Sequence, residues 1–141
     1  AISPGATTPN LYGRNLDESL FRLSDLKHET ILINFFWVEC LPCEKELPEL
    51  EKLERKYSGI KFIAVHVEDE ENPVILRFLK KLPAHPKHVV RSSPMVKKSF
   101  SIPGLPYTVV IHKGRIESVY IGYTPKGLNQ LKSKLYQLHQ R

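Results

Sequence analysis

The chain of 141 residues has only two cysteines, Cys40 and Cys43, and both stand in "ILINFFWVECLPCEKELPELEKL", residues 31 to 53. Three chemistries compete for such a pair. A zinc site needs about four protein ligands if structural and three if catalytic; there is no second cysteine pair, and the six histidines are scattered. A structural disulfide closing so short a loop removes little unfolded-state entropy and is a poor staple. A reactive dithiol fits the surroundings better, because the pair lies where an apolar, strand-like run gives way to a charged run with helical spacing.

At a helix start, residues three apart share a face, with Cα atoms inside the separation a disulfide permits. Backbone N–H groups and the positive end of the helix dipole favour a thiolate on the first cysteine, drawing a thiol with an ordinary pKa of about 8.5 toward reactivity near neutrality. Cys40 is therefore expected to be the exposed nucleophile, and Cys43, one turn inside, the shielded partner that resolves a mixed disulfide. Glu39, directly before Cys40, opposes the dipole and disfavours the thiolate, which predicts a more reducing couple.

The elements that must position this pair are legible along the chain. "AISPGATTPN", residues 1–10, is small, polar and turn-rich and reads as a leader or linker, leaving residues 11–141 as one domain. The stretch from Leu11 to Glu29, with a turn at Gly13, suggests a small hairpin or edge segment. "TILINFFWV" suits a central strand buried on both faces. Leu47, Leu50, Leu53 and Tyr57 recur at helical spacing, predicting a helix to about Ser58-Gly59, kinked at Pro48. "IKFIAVHV" reads as a second buried strand and "NPVILRFLKKL" as a helix with Asn72 as N-cap. "SPMVKKSF" reads as a short helix with Ser93 in the same role. "YTVVIHKGRIESVYIGY" reads as a hairpin turning at Lys113-Gly114. A final helix carries Leu128, Leu131, Leu135 and Leu138. The fold class is α/β, a central mixed sheet flanked by helices on both faces.

Composition excludes several classes. With 41% hydrophobic residues the chain has a globular balance, and no apolar run reaches the roughly 20 residues needed to cross a bilayer. The 21 Lys and Arg against 15 Asp and Glu give a net charge of +6, but the basic residues are interspersed with acids and lack interleaved aromatics. A solvated basic surface is the better reading, and no nucleic-acid partner is expected. His85 and His88 in "PAHPKH" read as loop histidines rather than copper ligands, and His66 as a core or rim residue.

Taken together, Asn34, Phe35, Cys40, Pro42, Cys43, Glu46, Leu47 and Pro48 resemble the thioredoxin superfamily, in particular its TlpA/ResA-like (DsbE/CcmG-like) branch of thiol-disulfide oxidoreductases. The similarity runs from about Leu20 to Tyr123. "GLPYTVVIHKGRI" resembles the family's loop with a cis proline opposite the cysteines, and by position that proline is Pro106. The resemblance implies a thioredoxin-like fold, a redox-active Cys40–Cys43 disulfide in place of any cofactor or metal, and support of the site by Pro106, Pro42 and Glu39. It makes Leu105, Leu41 and Trp37 candidates for substrate contact. Where classical thioredoxins carry a buried Asp this chain has Asn34, and the branch often has an acid after the next strand. That points to Asp69, with Glu68 second, beside the alternative that both merely belong to a solvated loop. One departure stands out: Glu39 occupies the position of the family's Trp.

The resemblance further implies an extracytoplasmic or periplasmic location, with a membrane tether in a segment before residue 1. Expected partners are protein thiol or disulfide substrates, including those of cytochrome c maturation, and an upstream membrane-bound or soluble dithiol donor. The protein is expected to be a monomer. The alternative class is a thioredoxin-like copper-delivery or interaction module without redox turnover.

Overall fold

A computed structural model describes residues 2–140. One seven-stranded sheet runs through it in the order β2-β1-β5-β4-β3-β6-β7. Its strands are β1 (Tyr12–Asn15), β2 (Leu20–Arg22), β3 (Thr30–Phe36), β4 (Lys61–His66), β5 (His88–Arg91), β6 (Tyr107–His112) and β7 (Arg115–Ile121). The helices are α1 (Leu41–Lys56), α2 (Asn72–Lys81), α3 (Met95–Ser99) and α4 (Pro125–His139), with a 3-10 turn at Leu23–Asp25. β3 pairs in parallel with β4 and antiparallel with β6, so the sheet is mixed as expected.

β3 is buried along its whole length because alternate side chains enter different cores. Ile31, Ile33 and Phe35 join Ile63, Val65, Val109 and Ile111 on the face covered by the 3-10 turn and α3, through Leu23, Val96 and Phe100. Leu32 and Phe36 point the other way. Leu32 meets Leu50 and Leu53 of α1 with Leu131 and Leu135 of α4. Phe36 meets Cys43 and Leu47 of α1 with Ile75 and Phe78 of α2. Burying a side chain of this size contributes about 1.5–3 kcal/mol, so β3 holds both layers to one sheet.

The turn between β6 and β7 has Lys113 at φ 53° and Gly114 at φ 79°, the left-handed pair that matches strand twist in a two-residue hairpin. The hairpin at the start of the chain is β1–β2, and β1 continues the sheet by pairing with β5.

The structure adds to the sequence reading and corrects it in places. β5 is an additional strand within "PKHVVRSSP", too short for alternation to reveal. Consequently His88 is a half-buried strand residue bonded through Nε2 to Asn15 Oδ1 at 2.7 Å, not a loop histidine. Glu71, not Asn72, occupies the N-cap position of α2, without a side-chain capping bond; the Asn72 amide instead donates to Leu16 O at 3.0 Å and Glu18 Oε1 at 2.8 Å, tying α2 to the β1–β2 hairpin. Ahead of α3, Pro94 is already helical and Ser93 Oγ accepts the Met95 N–H at 3.4 Å, the capping role expected of Ser93. α1 includes Pro48 and ends at Lys56 with Tyr57 as its C-cap, close to the expected end. Within the segment read as a leader, Gly5 N–H donates to Ile116 O at 2.8 Å and Thr8 N–H to Gly114 O at 3.1 Å, so this stretch lies along β7. Among the described residues no helix is long and apolar enough to cross a membrane.

Candidate active site

β3 ends at Phe36, and a four-residue turn carries the chain to α1, with Cys40 N–H donating to Trp37 O at 3.1 Å. Cys40 is the N-cap of α1: its backbone is extended, and its Sγ accepts the N–H of Cys43 at 3.3 Å. A side-chain acceptor at this position satisfies one of the N–H groups that a helix start leaves without a partner. Leu41 and Pro42 form the first helical positions, where the missing N–H of proline costs nothing. Cys40 and Cys43 are joined as a disulfide with Cα atoms 5.2 Å apart. Cys40 is half-buried at the surface, whereas Cys43 is fully buried.

Around Cys40 lies a groove of about 710 Å³ lined by Trp37, Glu39, Leu41 and Pro42 on one side and Ile102, Pro103, Gly104 and Leu105 on the other, with Glu68 and Lys97 at one end. The Leu105–Pro106 peptide bond is cis. Pro106 is buried and immediately precedes β6, while Leu105 lines the groove. Most sequence-nominated residues therefore meet in one place: Cys40, Glu39, Pro42, Trp37, Leu41, Leu105 and Glu68 line the groove, with Cys43 and Pro106 behind it.

The expectation for the buried acid needs correction. Asp69 is exposed and is not among the groove residues; Glu68 is half-buried at the rim and paired with Lys97. Both belong to the connection after β4, and neither is enclosed beneath the cysteines. The buried acid is Glu46, 4% exposed, one turn after Cys43 on the inward face of α1. Asn34 Nδ2 donates to its Oε1 at 2.8 Å and to Thr108 Oγ1 at 2.9 Å, and the Thr108 hydroxyl also bonds the carboxyl. Burial disfavours the charged form and pushes the Glu46 pKa up to about 7, against the opposing pull of these two hydrogen bonds. Asn34 Oδ1, fully buried beside it, has no hydrogen-bond partner among the described residues. A signal for Glu46 is present in the sequence. Cys43, Glu46, Leu47, Leu50 and Leu53 follow helical spacing, which places an acid on the apolar stripe.

The site can perform dithiol chemistry. It has one accessible sulfur at a helix N-terminus, one buried sulfur, and a carboxyl that changes charge near neutrality on the same helix face; residues so spaced have Cβ atoms about 5–6 Å apart. Among the described residues there is no group of three or more His, Cys, Asp or Glu placed to hold a metal ion.

These features coincide with a known class. The Redoxin family model matches residues 3–136. Thiol-disulfide oxidoreductase ResA of Bacillus cereus is 28% identical over 137 residues, covering 95% of this chain and 78% of that protein. ResA of Halalkalibacterium halodurans is 31% identical over 121 residues, covering 84% of this chain and 68% of that protein. A Chlorobium tepidum structure described as a thiol:disulfide interchange protein, DsbE, superposes with a TM-score of 0.87 at 20% identity, covering 99% of each chain. The chain belongs to the Redoxin family, as a TlpA/ResA-like member of the thioredoxin superfamily.

Proposed function

We propose that the protein is a thiol-disulfide oxidoreductase that reduces disulfides in exported protein substrates through Cys40 and Cys43. The reading rests on one observation: the N-cap sulfur opens onto a groove while its partner sulfur is buried one helical turn from a carboxyl poised near neutrality. In the reduced protein, the Cys40 thiolate attacks one sulfur of the substrate disulfide. The substrate S–S bond breaks, a Cys40–substrate disulfide forms, and the first substrate sulfur leaves as a thiolate. The Glu46 carboxylate then takes the proton of the Cys43 thiol. Cys43 attacks Cys40 Sγ, the second substrate sulfur departs, and the intramolecular disulfide forms. Two electrons pass to the substrate, and a dithiol donor must restore the reduced state.

Groove shape bears on the substrate. The apolar walls of Trp37, Leu41, Pro42 and Leu105 suit an extended segment carrying an apolar side chain beside its cysteine. An extracytoplasmic location, a monomeric state and a part in cytochrome c maturation complete the reading, as the resemblance of the cysteine and cis-proline motifs implies.

The test is a pair of variants in a disulfide-exchange assay. Cys40→Ser should fold normally and lose exchange. Cys43→Ser should retain the first attack and accumulate a mixed disulfide with its substrate. A native protein that shows no exchange, while binding Cu(I) through the pair, would replace this reading with copper delivery.

A further inference from the structure

His66 ends β4 with its side chain fully buried, and three segments around the groove meet on it. Its Nε2 lies 3.3 Å from the backbone nitrogen of Val38, in the turn that presents Cys40. Its Nδ1 lies 3.0 Å from the carbonyl oxygen of Glu68. A backbone N–H can only donate and a carbonyl can only accept, so both contacts are satisfied by one tautomer, with the proton on Nδ1. The backbone of the same residue holds the segment that leads into α3. His66 O accepts from Ser92 N–H at 2.9 Å and Ser92 Oγ–H at 2.7 Å, just before α3. α3 supplies Lys97, which closes the circuit by pairing with Glu68 at the groove end. The edge of the imidazole packs on the Phe36 ring, centroids 5.3 Å apart.

We propose that His66 is a positioning residue for the dithiol, whose imidazole fixes the Trp37–Cys40 turn by accepting from the Val38 N–H and ties that turn to the Glu68–Lys97 end of the groove. The inference rests on the dithiol reading above. A hydrophobic residue of the same size would fill the space yet leave the partly buried Val38 N–H without this acceptor. Cys40 would then sit less rigidly at the helix N-terminus that stabilises its thiolate. A second proton on the ring would have a similar effect, because two N–H groups would face each other. The charged groups bearing on the ring are Glu68 and Glu70 in the connection after β4, Arg91 in register on β5 with its guanidinium turned to Glu18, and Lys97 of α3 through Glu68. Burial outweighs the two carboxylates and keeps the imidazole neutral, its pKa below the usual histidine range.

The experiment compares the native protein with His66→Phe, which removes the acceptor, and His66→Gln, whose amide oxygen can reach the position of Nε2. Readouts are the pH profile of Cys40 alkylation in the reduced protein, the equilibrium potential against a dithiol buffer, and the rate of substrate disulfide reduction. His66→Phe should shift the alkylation profile upward, alter the potential and slow exchange by about tenfold or more, a size known for small misplacements of reacting groups. His66→Gln should restore most of the native behaviour. If His66→Phe fails to fold, the native protein still decides: the Val38 amide resonance must titrate together with the His66 ring, and an amide insensitive to that protonation overturns the proposal. A folded His66→Phe variant with native profile, potential and rate overturns it as well. Loss of all exchange in the native protein would instead remove the dithiol reading on which it rests.

Discussion

At the scale of single residues, the cysteines were readable because chemistry restricts them: two sulfurs three positions apart at a strand-to-helix junction leave few options. Glu39 was readable as an anomaly, and the structure places it on the groove wall beside Cys40. A carboxylate there opposes the helix dipole and makes the reduced form less stable. Replacing it by Trp should raise the reduction potential by about 10–20 mV, the size expected for one exposed charge at a helix end. Equilibration with a glutathione or dithiothreitol buffer measures this, and an unchanged or lowered potential counts against the role. Glu46 was visible as a letter in the family motif but not as the buried acid. Resemblance directed attention to the loop after β4, whereas burial is decided by which face of α1 meets the sheet. Only the joint spacing of Cys43, Glu46 and Leu47 carries that information.

At the scale of elements, β3, β4, β6, β7 and the three long helices were legible because period and length identify them. β5 was not, since it is four residues long and its strand identity comes from β4 and β1 on either side. The pairing with β1 depends on Gly13. A Cβ there would stand 2.7 Å from Arg91 O and 2.7 Å from Val90 Cγ1, closer than side-chain carbons are found. Gly13→Ala should therefore push β1 from β5 and destabilise the protein by about 1–3 kcal/mol, the usual cost of overpacking. Urea unfolding reads this as a lower midpoint.

At the scale of the whole molecule, two buried ionisable groups shape stability in opposite directions. Glu46 has its native pKa raised from 4.5 to about 7. Its favourable contribution is thus complete below about pH 4.5 and is lost as pH rises through 7, a change of about 3 kcal/mol at 1.36 kcal/mol per pKa unit. His66 has its native pKa lowered, so its contribution is present above its ordinary value of 6.5 and is lost as pH falls. Glu46→Gln isolates the first effect. The stability of the variant relative to native should grow between pH 5 and pH 8 by up to about 3 kcal/mol in urea unfolding, and the proton-transfer arm of exchange should lose its dependence on pH near 7. A gap that stays constant over that range would show that Glu46 is ionised alike in both states. The segment Gly5–Thr8 adds something of a different kind. An outermost strand normally offers a row of open amides and carbonyls onto which a second polypeptide can zip. By lying along Gly114–Ile116, the start of the chain occupies the first rungs of β7 itself. The molecule thereby carries its own guard against fibril-like stacking along this rim of the sheet.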